Sequence, residues 1–191
     1  LFSSPESAAV RHLVLSGNMI TDRGKDLSGL KELCVVLPTL EHPISLDLAN
    51  CGLGVAEVTE VAEAIGAGAV VTSINCLANK FGEEDLATLL TAIEGTSVRS
   101  LCGLTEGQTV ADFSGQNLGP IDVKIMAAEY GFQGFIAAVA RLILDKNPLT
   151  GGTWRDVDKD ITGVTSLFDT LKTSSVTELG LAKCRLGPGS L

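Results

Sequence analysis

Asp156, Asp158 and Asp160 alternate in the run DVDKDITG, and carboxylates at that spacing are what a calcium loop offers its ion. Such a loop also needs a glycine at its sixth position and a bidentate glutamate at its twelfth. Counted from Asp156, those positions hold Ile161 and Leu167. The run is therefore read as a solvated acidic loop, and no metal is assigned. The two histidines offer no better chemistry. His12 stands beside Leu13 in a strand-like run and His42 precedes Pro43 in a return segment. They are not expected to meet, so a Ser-His-Asp arrangement has no base. The five cysteines, Cys34, Cys51, Cys76, Cys102 and Cys184, are odd in number and form no C-x-x-C pair. Buried thiols in a reducing compartment, cytoplasmic or organellar, fit them better than a disulfide framework. GAGAV from Gly66 and the final GPGSL lack both a phosphate-loop lysine and the dinucleotide fingerprint. The expectation is a chain that is not an enzyme and takes no cofactor.

Bulk composition agrees. Hydrophobic residues make up 45% and charged residues 19%, which marks a packed chain rather than a disordered one. A net charge of −9 with 14 scattered Lys and Arg leaves no footprint for nucleic acid, whose phosphates need clustered cations. The longest charge-free stretch, Gly66 to Asn79, is too short and too polar to cross a bilayer, and no signal-peptide pattern is visible. Asn-x-Ser/Thr acceptors are absent and there is no initiating Met. The chain is expected to be an intracellular fragment or processed product.

The elements that carry these residues are written as a repeat. ISLDLANCGLGVAEVTEVAEAI, from Ile44, and TSINCLANKFGEEDLATLLTAI, from Thr72, share one layout. The template L-x-L-x-x-N-x-L, with L any apolar residue and N either Asn or Cys, fits LVLSGNMI, LDLANCGL, INCLANKF, LILDKNPL and LGLAKCRL, and more weakly ADFSGQNL. Its polar anchors are Asn18, Cys51, Asn79, Gln116, Asn147 and Cys184, spaced 33, 28, 37, 31 and 37 residues apart. The apolar residue two places on is kept throughout, and a Gly follows it in four of the six cases.

This pattern resembles the leucine-rich repeat family, in its long, helix-bearing, ribonuclease-inhibitor-like type. It also looks like the large repeat sets of single-celled algae and protists, partly through LCGLTEGQTVADFSGQNLGP. The resemblance implies an α/β solenoid of about six partial or complete repeats, with a curved parallel sheet inside and helices outside.

Physical reasons match the residue types. The two apolar positions of L-x-L point to one side of a strand. The turn that follows strands backbone N–H and C=O groups, and a buried carboxamide both donates and accepts, so stacked anchors form a structural ladder. Cys can stand in as a small, weak donor. The Gly after each anchor is expected to take an unusual backbone angle at the helix start. Helical spacing is expected in LSGLKELCVVL, AEVTEVAEAI, EEDLATLLTAI, IDVKIMAAEY and VTSLFDTL. In the second of these Glu57, Glu60 and Glu63 are read as pointing outward. One unit cannot bury its apolar face alone, hence the repetition.

Residues 1–191 are accordingly read as one repeat segment of a longer array. Inserted loops are placed at about 102–109 and 150–163, and the chain ends are expected to be covered by further repeats or by partners. Produced alone, the chain is expected to self-associate or be poorly soluble. Strand residues facing outward would form an inner wall of mostly small, neutral side chains. Binding hot spots favour Trp, Tyr and Arg, so Arg141, with Ile143 and Asp145 on its strand, and Trp154 with Arg155 in the second loop are the candidate partner-binding residues. Alternatively, Trp154 folds back on its own loop. The function expected from the resemblance is protein binding or scaffolding, as a subunit of a larger assembly, with the protein partner unidentified. The alternative is a regulator of an enzyme, either an inhibitor or a GTPase-activating repeat protein.

Overall fold

Alternating short strands and amphipathic helices can share a core only if the strands lie parallel, each followed by a helix that returns the chain to the same end. The computed structural model, which describes residues 10–22, 24–153 and 155–191, has that order in two compact units, Leu1–Val98 and Arg99–Leu191.

In the first unit β1 (His12–Val14), α1 (Ser28–Val36), β2 (Ile44–Asp47), α2 (Val55–Gly66), β3 (Val71–Asn75) and α3 (Glu83–Ile93) follow one another. The strands form a parallel sheet in the order β1-β2-β3, with Leu13, Leu46 and Ile74 on one line of the register. Leu46 and Ile74 are fully buried beneath the helices. The second unit repeats the scheme with β4 (Val110–Asp112), α4 (Pro120–Gly131), β5 (Arg141–Ile143), α5 (Thr162–Leu171) and β6 (Glu178–Gly180). Its sheet runs β4-β5-β6 and aligns Ala111, Leu142 and Leu179. All five helical segments expected from spacing are present, each within a few residues of the expected bounds.

The expected single six-stranded sheet is corrected to two sheets of three strands. Within residues 99–104, which begin like another strand, three backbone donors go to side chains. Leu101 N and Cys102 N donate to Glu129 Oε2 (2.8 and 3.1 Å), and Leu104 N donates to Ser100 Oγ (3.0 Å). Ser100 Oγ itself donates to the same carboxylate, and Ile136 N donates to Oε1 (both 3.1 Å). Glu129 and Ser100 are wholly buried. Burial pushes the Glu129 carboxyl above its ordinary value, against the pull of these hydrogen bonds. Gly134 lets the chain pass here, because a Cβ would sit 2.4 Å from Glu129 Cγ and 2.5 Å from the Arg99 carbonyl.

Between strand and helix every repeat turns in the same way. The residue before each anchor has positive φ: Gly17 (73°), Asn50 (51°), Ala78 (58°), Gly115 (67°), Lys146 (61°) and Lys183 (60°). The glycine after the anchor's apolar partner does not. Gly54, Gly82 and Gly119 are extended N-caps of α2, α3 and α4. Their N–H groups donate to Glu57 (3.1 Å), Asp85 (2.8 Å) and Asp122 (2.8 Å), three residues on. These acids face the positive end of their helices, where a negative charge is favoured. Glu57 is thus 4% exposed rather than outward, and its other oxygen accepts from Thr21 Oγ1 (2.9 Å).

Candidate binding face

The anchors set how one strand-and-turn rung sits on the one before it. Asn79 Oδ1 accepts from Cys51 N and Leu53 N (both 3.0 Å), while Nδ2 donates back to Leu48 O (2.9 Å) and to its own turn at Cys76 O and Leu77 O. Asn147, wholly buried, repeats the arrangement with Leu118 N, Phe113 O, Leu144 O and Asp145 O. Cys51 and Cys184 donate through Sγ to Leu15 O (3.2 Å) and Leu144 O (3.0 Å). Burial pushes both thiols up, so they hold the protons they donate. Asn18 is exposed, and its Nδ2 donates within its own turn, to Leu15 O and Ser16 O. Gln116 is exposed and its carboxamide makes no hydrogen bond to a described residue, while Leu118 N meets the next anchor, Asn147, as Leu53 N meets Asn79.

This ladder fixes what the open side of each sheet presents. In the second unit Val110, Arg141 and Glu178 stand abreast, followed by Asp112, Ile143 and Gly180. Arg141 Nε lies 3.0 Å from Glu178 Oε1, with both side chains more than half exposed. Pairs this exposed contribute little to stability, so Arg141 can exchange its partner at small cost. Hydrogen bonds from Ser114 hold the Asp112 carboxyl below its ordinary value, with smaller help from Arg141 and Lys146. Val110 is 48% exposed and Ile143 half-buried, which sets apolar side chains beside Arg141, at the β4 edge and in the next row. In the first unit the matching rows are His12, Ser45 and Ser73, then Val14, Asp47 and Asn75. There Val14 is 66% exposed, whereas Ser73 is buried.

Asp145 does structural work as well. Asp47, Asn75 and Asp112, four residues before their anchors, each accept the N–H two residues on, at Ala49, Leu77 and Ser114. The last rung has Gly180 at that place, and Asp145 Oδ1 accepts Ala182 N instead (2.8 Å). A Cβ on Gly180 would lie 2.9 Å from that oxygen.

The second inserted loop is ordered rather than merely solvated. Asp158 accepts from Gly187 N and Gly189 N (both 2.8 Å), and Ser190 leads the hydrogen bonds that depress its carboxyl. Asp160 accepts from Thr162 N (3.0 Å) at the start of α5. These carboxylates serve backbone donors, and among the described residues no group of His, Cys, Asp or Glu is arranged to hold a metal. Arg155 is exposed in this loop, away from β5 in sequence, and Trp154 lies outside the described residues. The structure brings Arg141 and Ile143 together on β5, sets Asp145 in the turn that follows it, and does not show Arg155 joining them. His12 and His42 are both exposed, in β1 and in the segment before β2. All five cysteines are buried and none forms a disulfide, and among the described residues no helix is long and apolar enough to cross a membrane.

Sequence reasoning missed Glu129, for which no local signal exists: its donors lie 27 to 29 residues upstream and seven downstream. The helix-start acids were findable, because LGVAE, FGEED and LGPID each set an acid three residues after the glycine.

No family model matches the chain, and no curated protein matches it. Among solved structures it is similar to a tropomodulin C-terminal domain of Caenorhabditis elegans, with 15% identity and a TM-score of 0.45 over 85% of this chain and 83% of that one.

Proposed function

We propose that the chain is a non-enzymatic protein-binding module of the leucine-rich-repeat type, engaging its partner through the open strand faces. One observation carries this reading: the contiguous patch of exposed Val110, Arg141 and Glu178 with half-buried Ile143, on a sheet whose other side is packed against helices. Its chemistry is an apolar centre beside an exchangeable guanidinium, the combination that interface hot spots favour. The reading includes a reducing compartment, supported by five buried cysteines that form no disulfide.

Cross-linking mass spectrometry in cell extract tests it, because exposed lysines are distributed usefully. Lys146 and Lys183 follow β5 and β6 directly, whereas Lys31 and Lys172 lie on or beside helices. Links to a foreign protein should concentrate on Lys146 and Lys183. Links confined to Lys31 and Lys172 would overturn the strand-face assignment.

A further inference from the structure

Within the second unit the last turns of α4 and α5 border a cavity of about 290 Å3, lined by Tyr130 and Gln133 from the α4 side and by Thr170, Thr173 and Ser174 from the α5 side. None of the strand-face residues lines it. Tyr130 is the group whose surroundings are incomplete. It is 6% exposed, and its hydroxyl is buried without a hydrogen-bond partner among the described residues. Buried polar atoms are as a rule satisfied, so an orphaned phenol calls for a partner from outside the chain. Burial, with Cys102 and Glu129 nearby, pushes its pKa up to about 12, and it stays a neutral phenol able to accept an N–H.

The rest of the lining sets the chemistry of that partner. Thr170 Oγ1 donates to Leu167 O (2.7 Å), Thr173 Oγ1 to Thr170 O (3.4 Å) and Ser174 Oγ to Leu171 O (3.0 Å). Each hydroxyl has spent its one proton on its own helix end and has only lone pairs left to offer. Gln133 turns its Nε2 to the Tyr130 carbonyl (3.2 Å), which leaves its Oε1 as the acceptor. Both helices also meet the cavity with their negative ends, and neither carries a basic residue in its last turn. Lys172, the residue after α5, is held by Asp169 (2.7 Å).

We propose that this cavity binds a primary ammonium group, presented by a small alkylamine or by a lysine side chain, whose N–H groups are shared among the hydroxyl oxygens of Tyr130, Thr170 and Thr173. An anion would face two helix C-termini, and an apolar molecule would cover the oxygens without satisfying them. The volume lies at the small end of ligand sites, which run from about 300 to 1,000 Å3, and suits a head group rather than a large molecule.

Tyr130 is the chain's single tyrosine, so its ring signals report on the cavity when the 191-residue chain is titrated and followed by NMR. n-Butylammonium should shift them saturably, whereas 1-butanol, similar in length and uncharged, should not. Tetramethylammonium, charged but without an N–H, should bind several-fold more weakly. A lysine tripeptide blocked at both ends separates the two sources: tighter binding than n-butylammonium assigns the site to a protein partner's lysine, weaker binding to a free amine. Tyr130→Phe, followed by saturation transfer to the ligand, should weaken n-butylammonium several-fold while melting no lower than the wild type, since it removes an unsatisfied hydroxyl. Thr170→Val should weaken it in the same way. Absence of saturable binding by n-butylammonium overturns the proposal, as does equal binding of 1-butanol. A Tyr130→Phe chain that melts higher with unchanged affinity would make the orphaned hydroxyl a matter of strain alone, and overturns it too.

Discussion

Replacing Asn79 with alanine should destabilise the first unit by an amount that its geometry lets us work out. Asn79 Oδ1 is the acceptor for two backbone donors, Cys51 N and Leu53 N, on residues that are each 2% exposed. Leaving a buried donor unsatisfied costs about 1–3 kcal/mol, so the pair sets a loss of ~2–6 kcal/mol, centred near 4. The three carbonyls served by Nδ2 add little, because the Leu48, Cys76 and Leu77 oxygens each have a second lone pair. Asn79→Cys should retain the donor to Leu48 O, as Cys51 does to Leu15 O, yet supply no acceptor of comparable strength. It should therefore recover ~1 kcal/mol at most. Asn18→Ala is the control: with one exposed turn to serve, it should change stability by less than ~1 kcal/mol. Urea titration followed by circular dichroism ranks the three, and amide exchange at Cys51 and Leu53 locates the loss. If Asn79→Ala falls within ~0.5 kcal/mol of Asn18→Ala, a typical surface effect, the ladder does not hold the rungs together and the reasoning fails.

Other outcomes follow from the same contacts. Glu129→Ala strands Leu101 N, Cys102 N, Ile136 N and Ser100 Oγ, and should cost ~3–5 kcal/mol in chemical denaturation. Burial raises the folded-state value of Glu129 above its ordinary 4.5. Its contribution is therefore full below that value and is lost as pH rises through the higher folded one. Glu129→Gln, neutral throughout, should flatten that decline in a pH series of urea midpoints. Gly134→Ala meets Glu129 Cγ and the Arg99 carbonyl inside contact distance and should cost ~2–3 kcal/mol. Gly115→Ala, with open space around it but φ +67°, should cost only ~1 kcal/mol; equal melting shifts would contradict this contrast. Burial pushes Cys34 up to about 11, and all five thiols are buried. A disulfide reagent at neutral pH should therefore label the native chain slowly and the urea-unfolded chain at once.

The strands and helices were legible because each is written in local periodicity. LDL at Leu46 and LIL at Leu142 read as strands without reference to anything distant, and so did the helical spacing of α2 and α3. The left-handed position before each anchor was not legible. Gly, Asn, Ala and Lys all occupy it, so residue type gives no sign of a conformation that the turn imposes. The separation into two sheets was invisible for another reason: VRSL resembles a strand entry locally, and the Leu101 and Cys102 donors go to Glu129, far away in sequence. Asp145 was singled out as a candidate for partner contact on its position in the wall. The structure adds the Ala182 hydrogen bond, a duty that exists because Gly180 cannot perform it.

The proposed role is tested most directly by quantifying what the intact chain retains from cell extract with and without its strand-face patch. Arg141→Glu with Ile143→Lys changes the patch while sparing the buried Leu142, and Thr88→Glu makes an equally exposed change on α3. The account predicts that the first variant loses a specific co-purifying protein at least tenfold, a difference of about 1.4 kcal/mol, while the second retains it at the wild-type level. Retention by the patch variant, or loss by the helix variant alone, would contradict it.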